Sequence, residues 1–212
     1  MNFLNNNLIG TFTLLAGISA LLQVVLLILM FTVSRNPFGR ISDYFYALTP
    51  LLILPLFLVF EQIPGVESTQ IAWVVKLIGI LGILIASIAQ VILLLRVIDF
   101  KQSVWGNSVG MGLIGIPILT MAILNLGSSQ LPAGFNWFGI ILGAAMVIGT
   151  PAVIFFIDEL HALGSGADFK WASVNPLVYP AVLAGILSQI GLPVWLFWAA
   201  RLMQSGNLVL IS

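Results

Sequence analysis

The stretch Ile71–Ile98, IAWVVKLIGILGILIASIAQVILLLRVI, decides the fold class of this chain. It carries only two charged residues, Lys76 and Arg96, and is otherwise almost entirely apolar. An α-helix needs about 20 mainly apolar residues to cross the hydrocarbon core of a bilayer, which is roughly 30 Å thick. A helix over this stretch has very little polar surface to present to water. We therefore predict that it spans a membrane.

Five further stretches of the 212-residue chain have the same character. With the first, the predicted spans are Leu8–Val33, Ile41–Phe60, Ile71–Ile98, Val104–Leu126, Phe135–Ile157 and Leu177–Met203. Charged residues make up 7% of the sequence and the mean hydropathy is +1.16, whereas about a quarter of an ordinary soluble domain is charged. The expected fold is an all-α, polytopic membrane protein, a six-transmembrane-helix bundle that forms a single domain over residues 1–212.

The positions of lysine and arginine predict how the chain is inserted, because short basic loops are retained on the cytoplasmic side. The predicted loops on one side carry Arg35, Arg40, Arg96, Lys101 and Lys170. Only Lys76 and Arg201 fall on the other side. We therefore expect both termini outside. The first span is too long for the apolar core of a cleaved signal peptide, so we expect it to be retained.

The composition argues against several functional classes. Cysteine is absent, so no disulfide, thiolate metal site or cysteine nucleophile is available. The formal net charge is zero, which disfavours nucleic acid as a partner. His161 is the only histidine, so a haem with two histidine ligands is excluded. Serine hydrolase and phosphate-loop signatures are missing, and the sequence identifies no cofactor.

Three predicted spans each carry one glutamine near mid-membrane: Gln23, Gln90 and Gln189. Each continues a row of small residues at intervals of three and four, which places the amide on the same helix face as that row. Small residues mark the faces on which membrane helices pack, so the three amides should point into the bundle. An unpaired amide in hydrocarbon is costly. We expect hydrogen bonds between helices, with a polar cavity that binds a ligand as the alternative.

Lys76 is the ionisable residue that lies deepest in a predicted span, about one turn inside. A lysine in this position ordinarily extends to the membrane surface, where Glu67 is expected nearby. If it faces the interior instead, it is the best candidate for an ion or proton site.

A second group of candidates follows the fifth span. Asp158, Glu159 and His161 supply oxygen and nitrogen atoms of the kind that bind metal ions. A solvated loop at the membrane surface accounts for the same residues better, so we predict no metal site there. 

Charged residues at the span ends also stand at helical spacing. Arg40 lies three residues before Asp43, and Arg96 lies three before Asp99. This spacing predicts two ion pairs at the membrane interface.

Two stretches carry a family resemblance. The ending Pro193-x-Trp195-x-x-Trp198-x-x-Arg201 and the segment Gly39-Arg40-Ile41-Ser42-Asp43 before the second span are similar to those of small six-helix bacterial membrane proteins of unknown function. The resemblance implies a six-helix fold in a prokaryotic membrane, and that family has no known activity to suggest for this chain.

Three functions remain for such a chain. The first is a non-catalytic accessory or scaffold subunit of a larger membrane complex, with membrane lipids and other membrane subunits as partners. The second is a carrier or channel for a neutral or lipophilic small molecule, which would use Gln23, Gln90 and Gln189. The third, an intramembrane enzyme, depends on the loop cluster Asp158, Glu159 and His161. The first requires the least chemistry and is our expectation.

Overall fold

The computed structural model describes residues 5–34, 37–63, 65–66, 70–127, 130–156, 176 and 178–208, apart from the side chains at 150, 151 and 153. All regular structure within these ranges is helical. The helices are α1 (Asn6–Thr32), α2 (Phe38–Leu58), α3 (Ile71–Leu94), α4 (Phe100–Leu124), α5 (Ala133–Phe155) and α6 (Val178–Gln204), with one 3-10 turn at Phe60–Gln62. The predicted all-α fold is confirmed.

Five of these helices are long and apolar enough to cross a membrane: α1, α2, α3, α4 and α6. In α5 the apolar stretch found among the described residues is shorter, Ala133–Gly149. By length and composition the chain is therefore an integral membrane protein with five identified span-length helices. The sixth span, predicted over Phe135–Ile157, stays a prediction.

The connection between α3 and α4 shows the largest differences from the predicted boundaries. The prediction extended the third span to Ile98, but α3 ends at Leu94. Arg96 has a φ of 60°, a left-handed conformation that a non-glycine residue rarely adopts and that an α-helix cannot continue through. Asp99 then caps the start of α4 with a capping box. Its carboxylate accepts a hydrogen bond from the backbone N–H of Gln102 at 2.8 Å, and the side-chain oxygen of Gln102 accepts one from the backbone N–H of Asp99 at 3.1 Å.

Neither predicted interfacial ion pair forms. Arg96 lies beyond the end of α3, so it does not share a helix with Asp99, whose carboxylate is used as the cap of α4. Arg40 and Asp43 do share α2, yet Arg40 is exposed while Asp43 is partly buried beside Tyr46. The prediction was wrong because it considered spacing along a helix and not the neighbouring helices or the end of the helix.

The six helices pack in a closed ring that follows the order of the chain. Each contacts its neighbours in sequence, and α6 completes the ring against α1. Helices α2, α4 and α6 continue through Pro50, Pro117 and Pro193. Because these helices are unbroken, proline supplies no unwound segment at those three positions.

Glycines set the closest helix approaches. A Cβ on Gly110 of α4 would lie 2.6 Å from the backbone nitrogen of Ala86 and from the carbonyl oxygen of Gly82, both in α3. Gly143 of α5 faces the Leu119 backbone in the same way, at 2.7 Å. Since lipid is as apolar as leucine, close backbone contact of this kind is a main source of helix association in membranes. The glycine rows of the sequence therefore lie at the α3–α4 and α4–α5 interfaces.

Large aliphatic side chains cover the outside of the bundle. Ile148 and Leu183 are 66% and 58% exposed, and exposed leucine, isoleucine or valine occurs on all six helices. A surface this apolar is rare on a soluble monomer. It is the surface expected for helices whose surrounding solvent is hydrocarbon.

Candidate functional site

Two of the three predicted glutamines meet where the ring closes. Gln23 lies on the buried face of α1 with Ala16 and Ala20, and its Nε2 donates to Oε1 of Gln189 on α6 at 2.7 Å. Gln23 is 5% exposed and Gln189 is partly buried. The two amides therefore connect the first helix to the last across 166 residues of chain.

Tyr46 of α2 completes this polar contact. Its hydroxyl lies within interaction range of both Gln23 and Gln189, and the Asp43 carboxyl one turn earlier lies close enough to interact with it electrostatically. The Ser42 hydroxyl also donates to the Gln23 carbonyl oxygen at 3.4 Å. The term amide junction denotes here the set Gln23, Tyr46 and Gln189, which joins α1, α2 and α6.

A second bond ties α1 to α2 one turn away. The hydroxyls of Ser19 and Thr49 lie 2.8 Å apart, and both residues are buried. The amide junction is thus part of a longer polar seam along α1. Each contact in this seam joins two helices, which is what hydrogen bonds between membrane helices are expected to do.

Gln90 lies outside the amide junction. It is 5% exposed on α3, forms no hydrogen bond with Gln23 or Gln189, and its Oε1 has no hydrogen-bond partner among the described residues. Ser103 Oγ and Asn107 Oδ1 of α4 also lack partners there. All three residues lie within one turn of the tight contact between Ala89 and Gly106. The predicted cluster of three amides is therefore a bonded pair and a separate third.

Lys76 has a carboxylate partner, though not the expected one. Its Nζ lies 3.1 Å from Oε1 of Glu61 in the 3-10 turn after α2, and the two side chains are 21% and 41% exposed. Glu67, the expected neighbour, lies outside the described residues. Because the ammonium group is both paired and partly exposed, it resembles a lysine that extends to the membrane surface more than an interior ion site.

The loop candidates Asp158, Glu159 and His161 lie outside the described residues. Among the residues that are described, no group of three or more histidine, aspartate or glutamate side chains could hold a metal ion.

Sequence reasoning missed Tyr46 and did not place Asp43 beside it. Both lie on α2 three residues apart, so they share a helix face that also continues to Ala47 and Pro50. A phenol hydroxyl near the middle of an apolar helix needs a hydrogen-bond partner when buried. That requirement was the signal that could have placed Tyr46 with the glutamines.

Comparison with known proteins identifies no family model, curated protein or solved structure that matches this chain.

Proposed function

We propose that this protein is a non-catalytic integral membrane protein that serves as an accessory or scaffold subunit of a larger membrane assembly. The observation that supports this role most is the direct Gln23–Gln189 hydrogen bond of 2.7 Å. This bond joins the first helix to the last. It therefore occupies two polar groups that a transport path would need to leave available for a substrate.

A carrier or channel would use these groups differently. Transporters commonly place substrate sites near the membrane midplane, where broken helices and polar side chains face a cavity. Here the two amides bond to each other with the Tyr46 hydroxyl beside both, and α2 and α6 continue without interruption through Pro50 and Pro193. The amide junction therefore fits a packing contact better than a binding site.

One observation favours the carrier as a second candidate. Gln90 Oε1, Ser103 Oγ and Asn107 Oδ1 are buried without partners among the described residues, all near one helix contact. Buried polar atoms of this kind generally bind water or a ligand. A polar path for a small neutral solute would therefore run between α3 and α4 and not through the amide junction.

The proposed topology has six spans, with α5 as the fifth, and both termini outside a bacterial cytoplasmic membrane. The excess of basic residues in alternate loops supports the orientation. The resemblance of the Gly39–Asp43 and Pro193–Arg201 segments to small bacterial membrane proteins supports the choice of membrane.

The absence of cysteine permits a direct test of this topology. Single cysteines are introduced at Gln102, Gly127 and Ser205, all exposed positions near helix ends, and treated with a membrane-impermeant maleimide on intact cells. If α5 spans, the variants at 127 and 205 label from outside and the variant at 102 does not. Labelling of 127 and 205 from opposite sides would mean that α5 does not cross.

The role itself is tested by two measurements on the full chain. Mild-detergent solubilisation followed by native mass spectrometry should show a stoichiometric membrane subunit, and co-expression with that subunit should reproduce the complex. Proteoliposomes should show no uptake of glycerol or urea above protein-free vesicles. Saturable uptake that is lost in Gln90→Leu and retained in Gln23→Leu would overturn the scaffold proposal in favour of the carrier.

A further inference from the structure

An apolar groove runs along the outside of the bundle between α5 and α6. Its volume is about 220 Å³ and every residue that lines it is apolar, including Phe138, Ile141 and Leu142 of α5 and Leu187, Ile190 and Val194 of α6. Ile141, Ile190 and Val194 are 54%, 55% and 49% exposed. The groove is therefore open toward the surrounding membrane.

A glycine determines the depth of this groove. A Cβ on Gly191 would lie 3.0 Å from Cδ1 of Leu142 and 3.6 Å from the Phe138 ring. A larger residue at this position would occupy the floor of the groove. The groove is deep here because Gly191 has no side chain. Side chains of both α5 and α6 form its walls.

The exposed face of α6 connects the groove to a basic residue. Leu187, Val194 and Arg201 stand seven residues apart, so two helical turns separate each from the next and all three lie on one face. Arg201 is about 10 Å further along the helix axis than Val194. It is exposed and forms no ion pair with any residue in the described part of the chain.

Trp198 lies between the groove and Arg201 on the same face. Its ring packs against Phe135 of α5 with the ring centroids 5.6 Å apart, and a Cβ on Gly134 would lie 3.3 Å from its edge. Tryptophan next to a terminal arginine is the usual composition of a helix end at the boundary between hydrocarbon and headgroups. The face of α6 thus changes from apolar to aromatic to cationic over the depth of about one leaflet.

We propose that this groove and Arg201 bind one anionic phospholipid. An acyl chain lies in the groove, the glycerol region lies beside Trp198, and the phosphate accepts hydrogen bonds from the Arg201 guanidinium. A guanidinium matches phosphate oxygens with two parallel donors, and no carboxylate among the described residues pairs with this one. The selection for an anionic headgroup follows because a zwitterionic lipid carries its own ammonium group beside the phosphate.

This site does not depend on the proposed scaffold role, because a single chain in a bilayer presents it. The full chain in mild detergent is titrated with phosphatidylglycerol or with phosphatidylcholine of the same acyl chains, and bound lipid is counted by native mass spectrometry. Phosphatidylglycerol should bind more tightly. Arg201→Gln should weaken its binding about fivefold, the effect of one basic residue at an anionic surface.

Matched variants separate the two parts of the site. Val194→Trp should fill the groove and weaken phosphatidylglycerol binding, whereas Val74→Trp, at an exposed position on α3 that does not line the groove, should leave it unchanged. Arg40→Gln is the corresponding control for charge, since Arg40 is an exposed arginine on another helix. All four substitutions are on exposed positions, and monodispersity in detergent checks that the variants are folded.

Several results would overturn the proposal. These are equal binding of the two lipids, unchanged phosphatidylglycerol binding in Arg201→Gln, and equal weakening by Val194→Trp and Val74→Trp. Displacement of the lipid by millimolar inorganic phosphate would show that Arg201 holds a free anion and that the groove contributes no lipid contact.

Discussion

The α3–α4 and α1–α6 interfaces hold neighbouring helices together by different means. Between α3 and α4, Gly82 and Gly110 bring the two backbones so close that neither position has room for a Cβ. Between α1 and α6, the Gln23–Gln189 hydrogen bond provides a specific polar contact. Apolar helices gain no hydrophobic free energy when they exchange lipid contacts for contacts with one another. Their association therefore needs either close packing or a hydrogen bond. The two interfaces should therefore fail in different ways when they are mutated.

The same residue type has different surroundings at the two interfaces. Gln23 bonds to Gln189, whereas Gln90 is buried at the glycine interface with its Oε1 unpartnered among the described residues. An amide in the membrane interior therefore stabilises the bundle only where the partner helix supplies a matching group. At the α3–α4 interface, the close packing around the glycines offsets the cost of burying the unpaired Gln90 oxygen.

The largest effect is expected from Gly110→Ala. The new Cβ would lie 2.6 Å from backbone atoms of α3 that cannot rotate away, so the helices must separate, at a cost of about 1–3 kcal/mol in the free energy of unfolding. Gly185→Ala is the matched control, because nothing lies within 4 Å of a Cβ there, and it should be neutral or slightly stabilising. Both are measured by unfolding with a denaturing detergent in mixed micelles. Equal midpoints for the two variants would contradict the close approach of α3 and α4.

The second effect concerns the amide junction. Gln23→Leu removes the bond to Gln189 and should lower the free energy of unfolding by about 0.6 kcal/mol, with an upper limit of about 1.7 kcal/mol. Combining it with Gln189→Leu in a double-mutant cycle isolates the coupling between the two amides. Strictly additive single effects would show that the 2.7 Å contact contributes nothing to closure of the ring.

The third effect has the opposite sign. Gln90→Leu removes a buried oxygen that has no partner and retains most of the side-chain volume, so it should not destabilise the protein and should raise the free energy of unfolding by up to about 1 kcal/mol. The same titration measures it beside Gln23→Leu. A loss as large as that of Gln23→Leu would mean that Gln90 bonds to a group outside the described residues or to bound water.

The smallest effect is expected at the ion pair, which belongs to neither interface. Lys76→Gln removes the 3.1 Å contact with Glu61, but both groups are partly exposed and screened, so the loss should be only about 0.2–0.5 kcal/mol. It should shrink further as salt is raised, because the surrounding ions screen the pair. An effect above that of Gln23→Leu, or one that does not change with salt, would show that Lys76 has a role in the interior.

Much of the fold follows from local pattern. Each predicted span overlaps a helix closely, because an apolar stretch of about 20 residues with no water available has to satisfy its backbone groups internally. The position at which α3 ends could not be predicted from hydropathy, because it depends on the left-handed conformation of Arg96. The prediction paired Asp99 with Arg96 because it assumed that one helix continued through both residues. The position of Asp99 three residues before Gln102 in fact matches a capping box.

Only part of the candidate site could be predicted from the sequence. Helical spacing correctly indicated that Gln23 and Gln90 are buried. It could not indicate which of the three amides meet, because that depends on which helices are neighbours. Tyr46 was missed for the same reason, and the partner of Lys76 is Glu61, which lies in a turn after the neighbouring helix.

The sequence by itself determined that the helices are apolar enough to lie in a membrane and which faces of α1 and α3 are buried, because both depend on residue type and on spacing within one helix. Only the tertiary structure decided that α6 returns to α1, that Gln189 meets Gln23 while Gln90 does not, and that α5 and α6 form an apolar groove. These features join residues far apart in the chain. Their positions follow from the packing of several helices at once, which no single stretch of sequence specifies.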